Sequence, residues 1–110
     1  MGSSQRDLRA FPAAVRREIG QSLFEAQLGD HPHNAKLLKG FGGVWEIRDN
    51  FDGDTYRAVY TTWFDDTLYV LHTFQKKSTR GIATPQRHMD LIRRRLREAE
   101  IIHRATTGEK

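Results

Sequence analysis

The residues best suited to chemistry lie in and around one apolar run, 70-VLHTFQKKSTRGIATP-85. His72 sits inside the run, Lys76 and Lys77 close it, and Arg80 follows in the polar stretch that ends at Thr84-Pro85. Upstream, Arg57 stands between Tyr56 and Ala58, Glu46 and Arg48 alternate in 44-VWEIRD-49, and Lys36 and Lys39 come before them. An imidazole moves protons near neutral pH. Guanidinium and ammonium groups stabilise charge that builds on phosphoryl oxygens. A lysine crowded by other cations has a lowered pKa and can itself move protons. Tyr and Phe among such cations suit single-stranded RNA, whose phosphates take the cations and whose bases stack on aromatic faces. Cutting that strand needs a group to activate a 2′-hydroxyl, a group to protonate the departing 5′-oxygen, and cations around the phosphate.

Each feature also has a plainer reading. A charged residue in mid-strand needs a partner or an open surface. For Arg57, Glu46 or Arg48 on a neighbouring strand supplies that partner or shares that surface. By spacing alone, His72 is a histidine hydrogen-bonded within a core. The run Arg93, Arg94, Arg95 and Arg97 reads mainly as a solvated helix face, supported by pairs with Asp90, Glu98 and Glu100.

Other chemistries lack their parts. There is no cysteine, hence no disulfide and no thiol nucleophile, which fits a reducing compartment and a cytoplasmic location. His31-Pro32-His33 is too tight to form a specific metal site alone, and neither an HExxH motif nor a Cys/His framework exists. No GxSxG elbow is present. Gly40-Phe41-Gly42-Gly43 resembles part of a phosphate loop but lacks the GK[ST] ending and a following helix. No metal or other cofactor is therefore expected. No apolar run approaches the ~20 residues of a membrane span.

The elements that must position these side chains follow from periodicity. Pro12 opens a helix whose stripe is Val15, Ile19 and Leu23, joined by Leu8, Phe24 and Leu28 and stopped at Gly29-Asp30. Residues 4–10 form a short separate helical turn. Residues 29–43 carry loop chemistry, with 35–38 open between a strand and a helical turn. Strands are expected over 44–49, 55–64 and 67–74, joined by the polar turn 49-DNFDGD-54 and by Asp65-Asp66, as an antiparallel meander. Strict alternation puts Leu68, Val70, His72 and Phe74 on one side of the third strand and Tyr69, Leu71, Thr73 and Gln75 on the other. Both sides are apolar, so that strand is expected to be central, or covered on one face and functional on the other. A last helix spans 86–105, with Met89, Ile92, Leu96 and Ala99 as its core stripe, widened by Leu91. The expectation is one α+β domain over residues 1–110, its helices stacked on one face of a small antiparallel sheet.

The chain is moderately basic, with a formal net charge of +4. All six acids of residues 36–80 fall between Glu46 and Asp66, while Lys36, Lys39, Lys76, Lys77 and Arg80 flank them. If the flanks meet in the fold they make a positive patch that attracts polyanions, nucleic acid being the commonest.

Taken together, 7-DLRAFPAAVRREIGQSL-23, 36-KLLKGFGGVWEIRD-49, 53-GDTYRAVYTTWF-64, 69-YVLHTFQKKSTRGIATP-85 and 90-DLIRRRL-96 resemble the phage-derived, HigB-like branch of the RelE/ParE toxin superfamily. The resemblance implies a compact RelE-like α+β toxin that cuts mRNA on the ribosome without metal. It implies a cognate helix-turn-helix antitoxin that silences it in a hetero-oligomer. Lys39, Arg57, Lys76 and Lys77 match positions where relatives place cations, and His72 matches the histidine of the VLH block. Arg57, Lys76, Lys77 and His72 are thus candidate catalytic residues; Lys36, Lys39, Arg48 and Arg80 are candidate RNA contacts. Members usually begin with an extra strand before the first helix, and here Gly2-Ser3-Ser4 stands where it would end. Two other readings stay open: a non-enzymatic inhibitor of DNA gyrase, as in the ParE branch, and a non-toxic antitoxin- or RNA-binding module.

Overall fold

The computed structural model describes residues 4–30, 32–63, 67–76 and 86–107. In chain order these form α1 (Ser4–Arg9), α2 (Ala13–Gln27), β1 (Ala35–Leu37), β2 (Val44–Phe51), β3 (Asp54–Trp63), β4 (Thr67–Lys76) and α3 (Gln86–Thr107). The strands make one antiparallel sheet in the order β1-β2-β3-β4. The α+β class is as expected. The sheet has a fourth strand beyond the three read from the sequence, and it comes from the stretch left open between strand and helical turn. Gly2 and Ser3, where a family first strand would end, lie outside the described residues.

Local chemistry sets the boundaries. Pro12, with φ −54°, precedes the first turn of α2. The far end of α2 closes where Gly29 takes φ 100°, so that its N–H donates to Ala26 O and the Asp30 N–H donates to Glu25 O. This paired arrangement satisfies carbonyls that the helix would otherwise leave bare. Asp52 and Gly53 join β2 to β3 with φ of 53° and 85°. Positive φ at both central residues is what a two-residue hairpin with primed geometry requires, so the turn is shorter than the six-residue span its polarity suggested.

The helices do not share one face of the sheet. Phe11, Val15, Ile19 and Ala26 pack with Ile47, Tyr56, Ala58 and Tyr60 on one side. Ile92 and Ala99 of α3 pack with Val44, Val59, Leu71 and Phe74 on the other. The reason lies in the strands, whose alternate residues are apolar in both directions. At about 25 cal/mol per Å² of apolar surface, leaving either face to water is costly. Phe24 and Leu28, expected on the α2 stripe, instead face solvent at 57% and 67% exposure. Ser22 and Ala26 are buried in their place, and the Ser22 hydroxyl meets Asn34 Oδ1 at 3.2 Å.

β4 departs from the expectation twice. It is an edge strand, yet it is covered on both faces. Its alternation is also broken: Val59 pairs with His72 and Tyr60 with Val70, so Leu71 is an extra residue. This β-bulge shifts the phase of the strand. Leu68 packs on the α2 side and Tyr69 on the α3 side. Leu71 and Phe74 belong to the α3 side, and the pairing of His72 with Val59 places it there too. Leu68 and Val70 therefore do not share a side with His72 and Phe74.

Candidate functional site

Strand register determines which side chains meet on the α3 face. Lys36, Glu46, Val59 and His72 form one row across the sheet. Arg48, Arg57 and Phe74 form the next. Asn50 and Thr55 form the third. α3 runs antiparallel to β4 over this face, with His103 beside Tyr69 and His88 beside His72 and Phe74. Its first turn thus stands at the border of the cationic rows.

The centre of the site is a buried carboxylate between two guanidinium groups. Arg57 Nη1 donates to Glu46 Oε2 at 3.3 Å, and both residues are 2% exposed. Arg48 Nε donates to Glu46 Oε1 at 2.8 Å, with 39% of the Arg48 side chain still exposed. Burial of the Arg57–Glu46 pair is tolerable because each ion meets an opposite charge in hydrogen-bonding geometry. Glu46 thus fixes one edge of the Arg48 guanidinium, while the side chain as a whole stays part-exposed.

Beside it lies a histidine pair. His72 Nε2 and His88 Nδ1 are 2.8 Å apart, and Arg95 Nη1 lies 3.3 Å from His72 Nδ1 and 3.0 Å from Leu71 O. The Phe74 ring stacks on His88 at 4.1 Å and on His72 at 5.0 Å. Burial, aided by His88 and the Arg95 guanidinium and partly opposed by Asp7, pushes the His72 imidazole down to about 4. Burial, with Arg87 and Arg57 nearby, also lowers His88. Both rings are neutral at pH 7. A pocket of about 350 Å³ opens at the β4 edge, lined by Asp7, Phe11, His72, Phe74, Gln75 and His88 among others.

The sequence candidates divide accordingly. Arg48, Arg57 and His72 gather with Glu46 in adjoining rows, and Lys36 lies exposed on β1 in the same row as His72. Lys39 is exposed in the connection between β1 and β2. Lys76 is the last residue of β4, opposite Thr55, while Lys77 and Arg80 lie outside the described residues. His72 is 5% exposed, with both ring nitrogens engaged.

Two participants went unnoticed in the sequence, His88 and Arg95. Their signal was present: positions 88, 92, 95 and 99 lie on one helical face, with Ile92 and Ala99 fully buried. Within a run of arginines Arg95 reads as solvated, and its contact with Leu71 O turns it inward. Among the described residues, no group of three or more His, Cys, Asp or Glu is placed to hold a metal ion, and no helix is long and apolar enough to cross a membrane.

The sheet with its flanking helices is compatible with a RelE-like fold. A family model described as Phage derived protein Gp49-like (DUF891) matches residues 6–97. The chain belongs to this phage-derived family, which is associated with toxin–antitoxin modules. No curated protein and no solved structure matches the chain.

Proposed function

We propose that this protein is the toxin of a type II toxin–antitoxin module of the HigB-like branch, a metal-independent endoribonuclease that cuts mRNA on the ribosome. The observation that carries the reading is the register that sets Lys36, Arg48 and Arg57 on one sheet face beside the His72–His88 pair. Arg48, whose side chain is part-exposed, contacts a phosphoryl oxygen. Arg57 and Glu46 hold Arg48 in place, and the Arg57 charge adds to the local field. Lys76, Lys77 and Arg80 follow along the chain and, with Lys36 and Lys39, extend the grip on the RNA backbone. The 2′-hydroxyl oxygen attacks the adjacent phosphorus as its proton is withdrawn. The bond to the 5′-oxygen breaks, and that oxygen leaves with a proton, giving a 2′,3′-cyclic phosphate and a 5′-hydroxyl. In the cytoplasm a small helix-turn-helix antitoxin covers the toxin in a hetero-oligomer.

Mapping transcript ends after induced expression tests this. New ends bearing 5′-hydroxyls inside translated regions, abolished by the antitoxin, are expected. Growth arrest without new ends, together with inhibition of DNA supercoiling by the purified protein, would replace the reading with gyrase inhibition. Unchanged growth would leave a non-toxic binding module.

A further inference from the structure

The hydrogen-bond chain Arg95–His72–His88 has only one possible direction. A guanidinium has N–H donors and no acceptor. Arg95 Nη1, 3.3 Å from His72 Nδ1, therefore requires a lone pair on that nitrogen. A neutral His72 must then carry its proton on Nε2. That proton points to His88 Nδ1, 2.8 Å away, which must accept it. Neutral His88 in turn carries its own proton on Nε2. The reverse order, with His88 Nδ1 donating, would put a proton on His72 Nδ1 facing the Arg95 donor. Leu71 O holds the other end of the constraint, accepting from Arg95 Nη1 at 3.0 Å. Among the described residues His88 Nε2 makes no hydrogen bond, and His88 lines the pocket at the β4 edge.

We infer that Arg95 and His72 are positioning residues that lock His88 as an Nε2–H donor, making His88, rather than His72, the imidazole that meets a ligand oxygen. The part concerning substrate rests on the ribonuclease reading, in which the oxygen belongs to the scissile phosphate or to the departing 5′-group. The tautomer lock does not rest on it. His72 is buried with both nitrogens used, while His88 is half-exposed and stands against the row that holds Arg57 and Phe74.

The test joins imidazole ¹⁵N spectra of purified protein at pH 7 with transcript-end mapping in cells. In the wild type, both His72 and His88 should be protonated on Nε2. Arg95→Met, which removes the donor from a partly buried site, should introduce Nδ1-protonated forms of both rings while the protein stays folded. His88→Ala should lower cleavage about a hundredfold, the usual scale for a lost proton-transfer group. His88→Gln, whose amide nitrogen falls near the position of Nε2, should recover part of that loss, and His88→Asn should not. A wild-type His88 protonated on Nδ1 overturns the lock. Correct tautomers with undiminished cleavage by His88→Ala overturn its contact with substrate and leave the ribonuclease reading standing. A wild type that cuts no transcript overturns the ribonuclease reading, and the spectra alone then decide the lock.

Discussion

Arg57 and Glu46 form an ion pair across 3.3 Å with only 3% of either side chain exposed. It joins neighbouring strands and holds a third charged group, Arg48, through the same carboxylate. The pair gives the sheet a fixed charged centre, and its removal should be felt first in stability.

Glu46→Gln should cost about 3–5 kcal/mol, because it removes the negative charge that both guanidinium groups pair with, one of them buried. Urea unfolding measures it directly. The double replacement Glu46→Met with Arg57→Leu should cost clearly less than the sum of the two single changes. Additive losses would show that the ions do not depend on each other.

Arg48→Ala should separate function from folding. Arg48 is part-exposed and Glu46 keeps its buried partner Arg57 in this variant, so the unfolding midpoint should fall less than in Arg57→Ala. Growth arrest on induction should nevertheless weaken severely. Arg57→Ala should instead lose activity and stability together, since it takes the buried partner from the Glu46 carboxylate and leaves it only the part-exposed Arg48. Full toxicity in Arg48→Ala would remove this guanidinium from phosphate binding.

Acid should loosen the docking of α3. The folded-state pKa of His72 is lowered to about 4, so between the ordinary value of 6.5 and about 4 the unfolded chain binds more protons than the folded one. Stability from this group is fully present above pH 6.5 and is lost as pH falls toward 4, on the order of 3 kcal/mol for a shift of that size. His88 is lowered as well and acts in the same direction. The groups facing His72 are His88, Arg95 and Asp7. Urea midpoints taken from pH 7.5 to 4.5 should fall for the wild type and fall less for His72→Gln. Equal slopes would mean that His72 is not the group being titrated.

Gly53→Ala should cost about 1–2 kcal/mol, because Gly53 sits at φ 85° and a side chain there is strained. The space around it is open, so the cost is conformational rather than a clash. Asp52→Asn should change little, since asparagine tolerates the left-handed region as well. Thermal midpoints of the two variants check the contrast.

Much of this architecture is legible along the chain, because the features that mark it are local. Pro12 and Gly29 bracket α2, Asp52-Gly53 marks the hairpin, and alternating residues mark β2 and β3. What sequence does not show depends on contacts made across space. Ala35-Lys36-Leu37 becomes a strand only by pairing with residues 45–47. The outward turn of Phe24 and Leu28 follows from where α2 rests on the sheet, with Ser22 and Ala26 directed inward. Arg95 looks like its neighbours until α3 is laid against β4. The cations stand out along the chain as a set, but the burial of Arg57 beside the part-exposed Arg48 depends on the strand pairing that seats Glu46 between them.

The extra residue in β4 has a consequence for how this surface can change. Because Leu71 is spare, deleting it would restore unbroken alternation without turning either half of the strand over: Val70 would keep its place opposite Tyr60 and His72 its place opposite Val59. What would go is a fully buried side chain of the α3 core and the carbonyl that accepts from Arg95 Nη1. A single codon's loss there would unmoor Arg95 while leaving every charged side chain of the site in the polypeptide.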